Sequence, residues 1–424
     1  MFKTETNIED DPLYTKISHK SSITKPNLNQ QPSMSHALAL LFAAACGMSV
    51  ANIYFAQPLL DQLSNEFGIN HSIIGVVITV TQIFYGVGLL LLVPLGDLLN
   101  QRRLIVGQML LSTTALVIVG TASSSMVLFA GMALVGLLAV VTQTLVAFAA
   151  TIASPTERGR VVGIVTSGIV IGILLARTFA GILTDVAGWR SVYLFSAALM
   201  LLMVFMFIKM LPNVEREVKS LSYPQLIRSV LTLFIQERTL RVRSVLAMLI
   251  FADFSILWTS LVLPLSTPPI ALSHSAIGAF GLVGVAGALA AARAGKLADQ
   301  GHGQRTTGIA LALLLISWLF ISYMEQSLIA LVIGIVLLDL AVQAIHVTNQ
   351  TMILPLHTEA RSRLTAGYMV FYSIGSAGGS IASTQIYAHF GWGGVSLLGA
   401  SVSAFALLFW AMTRRVKIFE INVC

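Results

Sequence analysis

Apolar stretches of about 20 residues recur along this sequence, and they constrain its fold more than any other feature. A helix that crosses the hydrocarbon core of a bilayer needs about 20 mainly apolar residues. Twelve stretches meet this requirement: 36–60, 72–96, 104–122, 126–153, 160–185, 189–211, 244–268, 275–296, 306–323, 327–353, 364–388 and 392–413. We therefore predict an all-α membrane protein with twelve transmembrane helices.

The composition excludes the soluble classes of protein. Only 10% of the 424 residues are charged and 56% are hydrophobic, whereas soluble domains average about 25% charged residues. The two cysteines, Cys46 and Cys424, have neither the pattern of a disulfide framework nor the spacing of a metal site. Phosphate-binding loops, nucleophile elbows and metal-binding motifs are also missing from the sequence. We expect no enzyme, no cofactor and no bound metal.

Polar segments divide the chain into five parts. Residues 1–35 are polar and mixed in charge, which predicts a disordered cytoplasmic tail and no cleavable signal peptide. The longest polar link, 212–243, is predicted as a central cytoplasmic loop between six spans and six spans. It separates an N-terminal six-helix bundle over 36–211 from a C-terminal six-helix bundle over 244–413. Residues 414–424 form a short cytoplasmic tail.

The lysines and arginines predict the orientation of the chain. With the N-terminus in the cytoplasm, all 25 of them except Arg177 and Arg190 fall in cytoplasmic tails, loops or span ends. Such a bias is the positive-inside pattern, so we expect a multi-pass protein of the bacterial cytoplasmic (inner) membrane with both termini cytoplasmic. Orientation and anionic lipid head groups explain the net charge of +7. The bilayer is the expected partner and nucleic acid is not, and we expect a monomer.

The two halves of the chain repeat one another. P-L-G-D-L-L-N-Q-R-R at 94–103 follows the second span, and G-K-L-A-D-Q-G-H-G-Q-R at 295–305 follows the eighth, about 200 residues later. Two further pairs keep this spacing: Gly188-Trp189 with Gly391-Trp392, and Gln143 with Gln343. Their common register indicates a tandem duplication, and hence two pseudo-symmetric bundles inserted in the same orientation.

These features together resemble the major facilitator superfamily over about residues 36–413. N-I-Y-F-A-Q-P-L-L at 52–60 and G-W-R-S-V-Y-L-F-S-A at 188–197 are similar to bacterial twelve-span members of the drug:proton antiporter type. The resemblance implies alternating access and a central cavity that spans one, four, seven and ten line.

The same resemblance implies a cytoplasmic gate in the two repeated loops. An aspartate there can accept hydrogen bonds at a helix N-terminus or pair with a basic residue across the two halves, which would hold the outward-open state. The gate residues are Asp97, Arg102 and Arg103 in the first copy and Gly295, Asp299 and Arg305 in the second. The first copy departs from the family pattern at Val93, where glycine is usual. Alternatively, these charges only anchor the loops in the cytoplasm.

Three formal charges fall well inside the predicted spans, where each costs at least about 2.5–3.5 kcal/mol. They are Arg177, Asp253 and Asp339. A low dielectric favours the neutral form of a carboxylate, so Asp339 is our first candidate for the coupling proton carrier and Asp253 the second. The alternative for Asp339 is a static salt bridge to Arg177.

Polar residues on the cavity-lining spans complete the predicted site. His346 lies on one stripe of span ten with Asp339 and Gln343, which makes it a proton relay or a substrate contact or, alternatively, a hydrogen-bonded core histidine. The predicted cavity residues are Asn52, Tyr54, Gln57, Gln143, Arg177, Trp258 and Gln343.

Two functions are compatible with these residues. The first is proton-coupled export of small amphipathic molecules by alternating access. The second is proton-coupled import, or facilitated passage, of a polar metabolite such as a sugar or an organic anion. Ala176-Arg177 stands where antiporters of this kind carry Gly-Pro, so Arg177 is predicted to counter either Asp339 or an anionic substrate. Protons and a small molecule are the expected ligands.

Overall fold

The computed structural model describes residues 34–154, 157–212, 222–284, 293–357 and 360–414. Within these ranges the regular elements are helical, as predicted. In chain order they are α1 His36–Tyr54, α2 Leu60–Phe67, α3 Val76–Leu91, α4 Gln101–Gly120, α5 Ser125–Leu138, α6 Val141–Ile152, α7 Arg158–Ala187, α8 Trp189–Met210, α9 Tyr223–Gln236, α10 Arg238–Ser260, α11 Val262–Leu265, α12 His274–Val283, α13 Gly303–Ile321, α14 Leu328–Ile353 and α15 Arg361–Thr413. We call residues 34–212 the N-terminal half and residues 222–414 the C-terminal half.

Short polar caps set where several helices begin. The side chains of Ser35, Asn100, Ser124 and Ser327 accept hydrogen bonds from backbone N–H groups in the first turns of α1, α4, α5 and α14. These donors have no partner inside the helix, and an uncapped helix end is less stable by about 0.5–2 kcal/mol. The caps therefore fix the register of long apolar helices whose sequences carry few other signals.

The repeated Gly-Trp pair has the same structural role in both halves. Gly188 has φ of 78° between α7 and α8, and Gly391 has φ of 62° within the run of α15. Glycine adopts this left-handed region without the penalty that a side chain brings. The tryptophans that follow, Trp189 and Trp392, are buried. Each pair therefore turns the chain between two consecutive predicted spans.

Ten helices within the described ranges are long and apolar enough to cross a membrane. The last of them runs from Arg361 to Thr413 and contains the break at Gly391, so it covers predicted spans eleven and twelve. Of predicted span eight, the structure describes the shorter apolar helix His274–Val283, whereas residues 285–292 lie outside the described ranges. The multi-span helical fold is confirmed, and the count of twelve stays a prediction.

The central link differs from a simple loop. Its residues 223–236 form α9, and α10 begins at Arg238, six residues before the predicted start of span seven. Arg243, in the added first turns of α10, is buried and bonded rather than exposed to water: its Nη1 donates to Thr307 Oγ1 at 2.9 Å and to Asn349 Oδ1 at 3.1 Å. Predicted tail residues 1–33 and 415–424 lie outside the described ranges.

The two halves meet along helices that approach closely. Helix α12 packs on α7 and α15 packs on α3, in both cases across the halves. A Cβ added to Gly278 would lie 2.4 Å from the carbonyl oxygen of Arg177, and one added to Gly75 would lie 2.4 Å from that of Ser380. Small residues permit such contacts between membrane helices. This packing brings side chains from α1, α7, α10 and α14 to one place.

Candidate functional site

The halves are joined at the end of the molecule that carries Asp61 and Asp185, which we call the acidic end. His274, the first residue of α12, lies between these two carboxylates: Nε2 is 3.2 Å from both Asp61 oxygens, and Nδ1 is 3.2 Å from Asp185 Oδ1. Asp185 Oδ2 also accepts hydrogen bonds from Ser275 N at 2.8 Å and Ser275 Oγ at 2.6 Å. The acidic end is therefore closed by contacts between the halves.

His274 immediately precedes predicted span eight, and its charge is favoured by this arrangement. The hydrogen bond to Asp61 raises the pKa of the His274 imidazole, burial opposes that effect, and Asp185 adds to it. The role of His274 could not be predicted from the sequence, because Asp61, Asp185 and His274 stand at three separate helix ends without a shared motif. Acids in the short links at this end were the only signal.

The opposite end, which carries Arg158, Arg361 and Arg363, holds a cavity between the halves. We call it the basic end. The cavity has a volume of about 690 Å³ and falls in the range of small-molecule sites. Its wall includes Gln143 and Thr144 of α6 together with residues of α9 and α15. The structure therefore places the predicted residue Gln143 on a cavity wall.

Among the described residues, the predicted gate residues form no ion pair between the halves. Arg102 Nη2 donates to the carbonyl oxygen of Ile208 at 2.5 Å, in its own half. The backbone N–H of Arg103 donates to the cap at the start of α4. Asp299 and Arg305 are exposed, and neither has an ion pair within the part of the chain that the structure describes. Gly295 lies beside Val347, and the side chain of Asp97 lies outside the described residues.

Arg177 of α7 occupies the centre of the site. It is 2% exposed, and its Nε donates to Gln57 Oε1 at 2.8 Å. Pro58 cannot continue α1 because it lacks a backbone N–H, and the short 3₁₀ turn at this point holds Gln57 inward. The guanidinium Cζ lies 3.8 Å from the ring centroid of Trp258, which is a cation–π contact between the halves. Its Nη2 has no hydrogen-bond partner in the described structure.

Asp339 of α14 lies at the edge of the same tryptophan ring, beside the indole N–H. It is 5% exposed, and Trp258 Nε1 donates to its Oδ1 at 3.3 Å. Arg177 and Asp339 interact electrostatically, but no ion pair within 4.0 Å joins them in the described ranges. The direct salt bridge considered from the sequence is therefore not formed. Instead, the indole of Trp258 connects the two charges.

An aromatic layer connects this centre with the cavity wall. The hydroxyl oxygens of Tyr54 and Tyr372, from opposite halves, are 2.5 Å apart. The Tyr372 ring also contacts Tyr85, whose hydroxyl interacts with Gln143. Because Tyr54 lies beside the Arg177 guanidinium, a chain of contacts runs from the cavity wall to Arg177. Of the predicted cavity residues, Tyr54, Gln57, Arg177 and Trp258 are brought together here.

His346 faces partners in the C-terminal half. Its Nδ1 is 2.9 Å from the hydroxyl of Tyr368, and its Nε2 is 3.2 Å from Gln350 Nε2, one turn further along α14. Its ring also meets Phe251 edge-on. These contacts fit a hydrogen-bonded histidine, and the role of His346 as proton relay or substrate contact stays a prediction. Gln343 lies on the same helix and is partly exposed.

Two predicted residues face away from this centre. Asp253 is fully buried, and its Oδ2 accepts a hydrogen bond from Ser403 Oγ of α15 at 2.6 Å. Asn52 Oδ1 accepts one from Ser196 Oγ of α8 at 2.7 Å. Each residue thus bonds within its own half. Helices α1 and α10 are buried on most sides, so a polar residue on them faces either the cavity or a neighbouring helix.

Comparison with known proteins agrees with this architecture. The model of the Major Facilitator Superfamily matches residues 38–299 and 243–420. The uncharacterized transporter YgaY of Escherichia coli O157:H7 is 48% identical over 388 residues, which cover 92% of this chain and 97% of that protein. The purine ribonucleoside efflux pump NepI of E. coli O127:H6 is 26% identical over 194 residues, 44% of this chain and 47% of NepI.

A solved structure shows the same fold. The crystal structure of a bacterial homologue of the human lysosomal transporter Spinster, in an inward-facing and occupied conformation, matches with a TM-score of 0.71 at 14% identity. The match covers 90% of this chain and 97% of that one. The family match spans both halves, and full-length relatives are transporters rather than enzymes. This chain therefore belongs to the major facilitator superfamily and is a membrane transporter.

Proposed function

We propose that this transporter moves small amphipathic molecules by proton-coupled alternating access, with Asp339 as the proton carrier. One observation carries the proposal: a buried carboxylate of the C-terminal half is connected through Trp258 to a buried arginine of the N-terminal half. In this proposal the chain is a monomer with twelve spans, arranged as six-helix bundles over 36–211 and 244–413.

The environment of Asp339 depends on how the two halves sit. Burial disfavours the charged form of a carboxylate, and a nearby cation favours it. Arg177 belongs to the other half, so a movement of the halves changes the effect of this cation on Asp339 more than it changes the effect of burial. Protonation of Asp339 would then shift the equilibrium between two arrangements of the halves, as the linkage between binding and conformation requires.

The conformation of the chain fits one stage of such a cycle. Contacts at His274 close the acidic end, and the basic end holds the cavity. The positive-inside rule puts the basic end in the cytoplasm. We therefore propose that this is an inward-facing state of an inner-membrane protein whose termini are both cytoplasmic.

Two directions of transport are candidates. Export in exchange for protons is supported by the antiporter-like segments 52–60 and 188–197 and by the similarity to NepI, an efflux pump. Uptake is supported by Arg177, which stands where antiporters of this kind have Gly-Pro. A growth screen in a bacterial host that lacks its own efflux pumps separates them, because export confers resistance to toxic compounds and uptake confers sensitivity.

The variant Asp339→Asn tests proton coupling. In proteoliposomes with a pH-sensitive dye inside, we expect the wild type to dissipate an imposed pH gradient when a transported compound is added, and Asp339→Asn to lose this response. Asp253→Asn is the matched control, because Asp253 is also buried but accepts its hydrogen bond from Ser403, within its own half. Full coupling in Asp339→Asn would contradict the carrier assignment.

A further inference from the structure

We propose that Arg177 binds the carboxylate of an amphipathic substrate, and that this anion and a proton on Asp339 bind together. The inference rests on the proposed proton-coupled transport through this site. It adds the chemical class of the substrate and the sign of the coupling.

The first observation is the incomplete hydrogen bonding of Arg177. Its Nε bonds to Gln57 and its flat face rests on Trp258, whereas Nη2 has no hydrogen-bond partner among the described residues although Arg177 is 2% exposed. A buried charged donor without a partner is costly. A carboxylate is the ligand that best fits the guanidinium fork. The free edge of Arg177 is therefore a site for an anionic oxygen.

The surroundings define what else the ligand carries. Tyr54 and Phe254 flank the guanidinium at 5.3 and 5.2 Å from its Cζ, and Trp258 covers one face. These rings offer apolar and stacking contacts to an attached ring or chain. A cationic substrate would meet the positive charge of Arg177 instead, which disfavours it. The site thus fits an amphipathic aromatic carboxylate.

The site is contracted in this conformation. The cavity that Gln57, Arg177, Trp258 and Ile277 line has a volume of about 10 Å³, which is room for about one water molecule. The hydrogen bond between Tyr54 and Tyr372 joins the halves beside it. A larger anion enters when this pair separates, and a movement of one half against the other separates it.

Charge balance then connects the anion to the proton. Arg177 and an ionised Asp339 together are close to neutral. An anion alone would leave one negative charge in excess, and a proton on Asp339 alone would leave Arg177 uncompensated. An unpaired charge in this environment is costly. The two states of low energy are therefore the one with neither ligand and the one with both, and each ligand favours the other reciprocally.

No other charged group of the described residues is engaged with Asp339. The ionisable groups that interact with it are Arg177 and Tyr54. Groups on its own helix and on the helices packed against it have other partners: His346 bonds to Tyr368 and Gln350, Asp253 to Ser403, Arg243 to Thr307 and Asn349, and His274 to Asp61 and Asp185. The coupling between anion binding and protonation therefore involves Arg177, Asp339 and the ligand.

This coupling decides between the two directions given above. Ligands that bind together are carried together, so the transporter is an anion–proton symporter. The inward proton gradient of a bacterium then drives uptake rather than export.

Calorimetry with paired probes tests the inference on the purified full-length protein in detergent. The probes are benzoate with benzamide and indole-3-acetate with indole-3-acetamide, which differ in charge and little in shape. We expect at least one carboxylate to bind about tenfold or more tightly than its amide, the effect of one charge-assisted hydrogen bond. Titrations in buffers of different ionisation enthalpy should show proton uptake when the carboxylate binds near pH 7.5, and none with the amide.

Three variants separate the contribution of Arg177 from that of Asp339. Asp339→Asn should keep the preference for the carboxylate and lose the proton uptake. Arg177→Gln should lose the preference, and Arg177→Lys should restore part of it. Elution as a single species and the melting temperature monitor folding. If Arg177→Gln does not fold, the wild type and Asp339→Asn still decide the question.

The inference is overturned if no carboxylate in the series binds better than its amide, or if it binds without proton uptake by the wild type. Dissipation of a pH gradient by neutral compounds alone would overturn the inference and leave the proposed function standing. Carboxylate binding with proton uptake, together with no gradient-driven transport of any compound, would support the anion site and contradict the proposed function.

Discussion

Arg243 and Arg177 are both buried arginines, but their surroundings differ. Arg243 lies within the C-terminal half and bonds to Thr307 and Asn349, whereas Arg177 lies between the halves and keeps a free edge. We expect Arg243→Ala to lower the free energy of unfolding by about 1.5–3 kcal/mol, the value of hydrogen bonds to a charged group. Denaturant titration in detergent measures the change.

Arg238→Ala is the control for this prediction. Arg238 stands in the first turn of the same helix and is exposed, so we expect its removal to change stability by less than about 0.5 kcal/mol. Equal stability losses in the two variants would contradict the role assigned to Arg243.

The sequence predicted the residues of the centre better than their partners. Rarity of charge in apolar stretches was enough to find Arg177 and Asp339, because such charges need a reason to be there. The sequence could not show that Asp253 faces Ser403 of α15. Helix α10 is buried on most sides, so the spacing of its apolar residues does not reveal which neighbouring helix a given side chain contacts. Orientation on a fully buried helix is decided by packing.

The start of α12 is the element that holds the acidic end closed, through His274. The imidazolium form pairs with Asp61 and Asp185, and these contacts raise its pKa. The stabilisation they give to the closed end is therefore complete below the ordinary histidine pKa of about 6.5 and is lost as the pH rises through the raised value. We expect the acidic end to separate more readily at alkaline pH.

Spin labels at Asn70 and Gln326, two exposed positions near the acidic end in opposite halves, measure this separation. The fraction of long distances should rise with pH in the wild type and become independent of pH over this range in His274→Gln. His389→Gln is the control, because His389 is exposed and bonds to the preceding turn of its own helix, at Gln385. A wild-type distance distribution that does not change with pH would contradict the proposed role of His274 in closing the acidic end.

Element boundaries could be predicted where a local signal marks them. The repeated Gly-Trp pairs gave two junctions correctly, since positive φ at Gly188 and Gly391 requires glycine. The helix α9 and the early start of α10 were missed, because the charges of 212–243 suggested a solvated loop. Burial of Arg243 against α13 and α14 is a tertiary effect that no local pattern contains.

On the scale of the whole molecule, the duplication supplies two loops of similar sequence, and among the described residues Asp299 and Arg305 of the second loop form no ion pair. The basic end holds the cavity while Asp299 and Arg305 are exposed. A gate that holds the outward-open state has to form when this cavity closes. The structure therefore represents the stage in which the basic end is open, whereas the proposed gate forms in the stage in which it is closed. The gate contacts stabilise only the closed stage.

That asymmetry predicts the effect of Asp299→Ala. Because the substitution removes contacts only from the state in which the basic end is closed, it should shift the equilibrium toward the open basic end by about 0.3–1 kcal/mol, the value of one charge at a helix N-terminus or in an exposed ion pair. Spin labels at the exposed positions Leu99 and Ser362 should then report more long distances across the basic end. Lys296→Ala, an exposed charge in the same loop outside the proposed gate, should leave the distribution unchanged. An Asp299→Ala distribution equal to that of the wild type would mean that these charges only orient the chain in the bilayer.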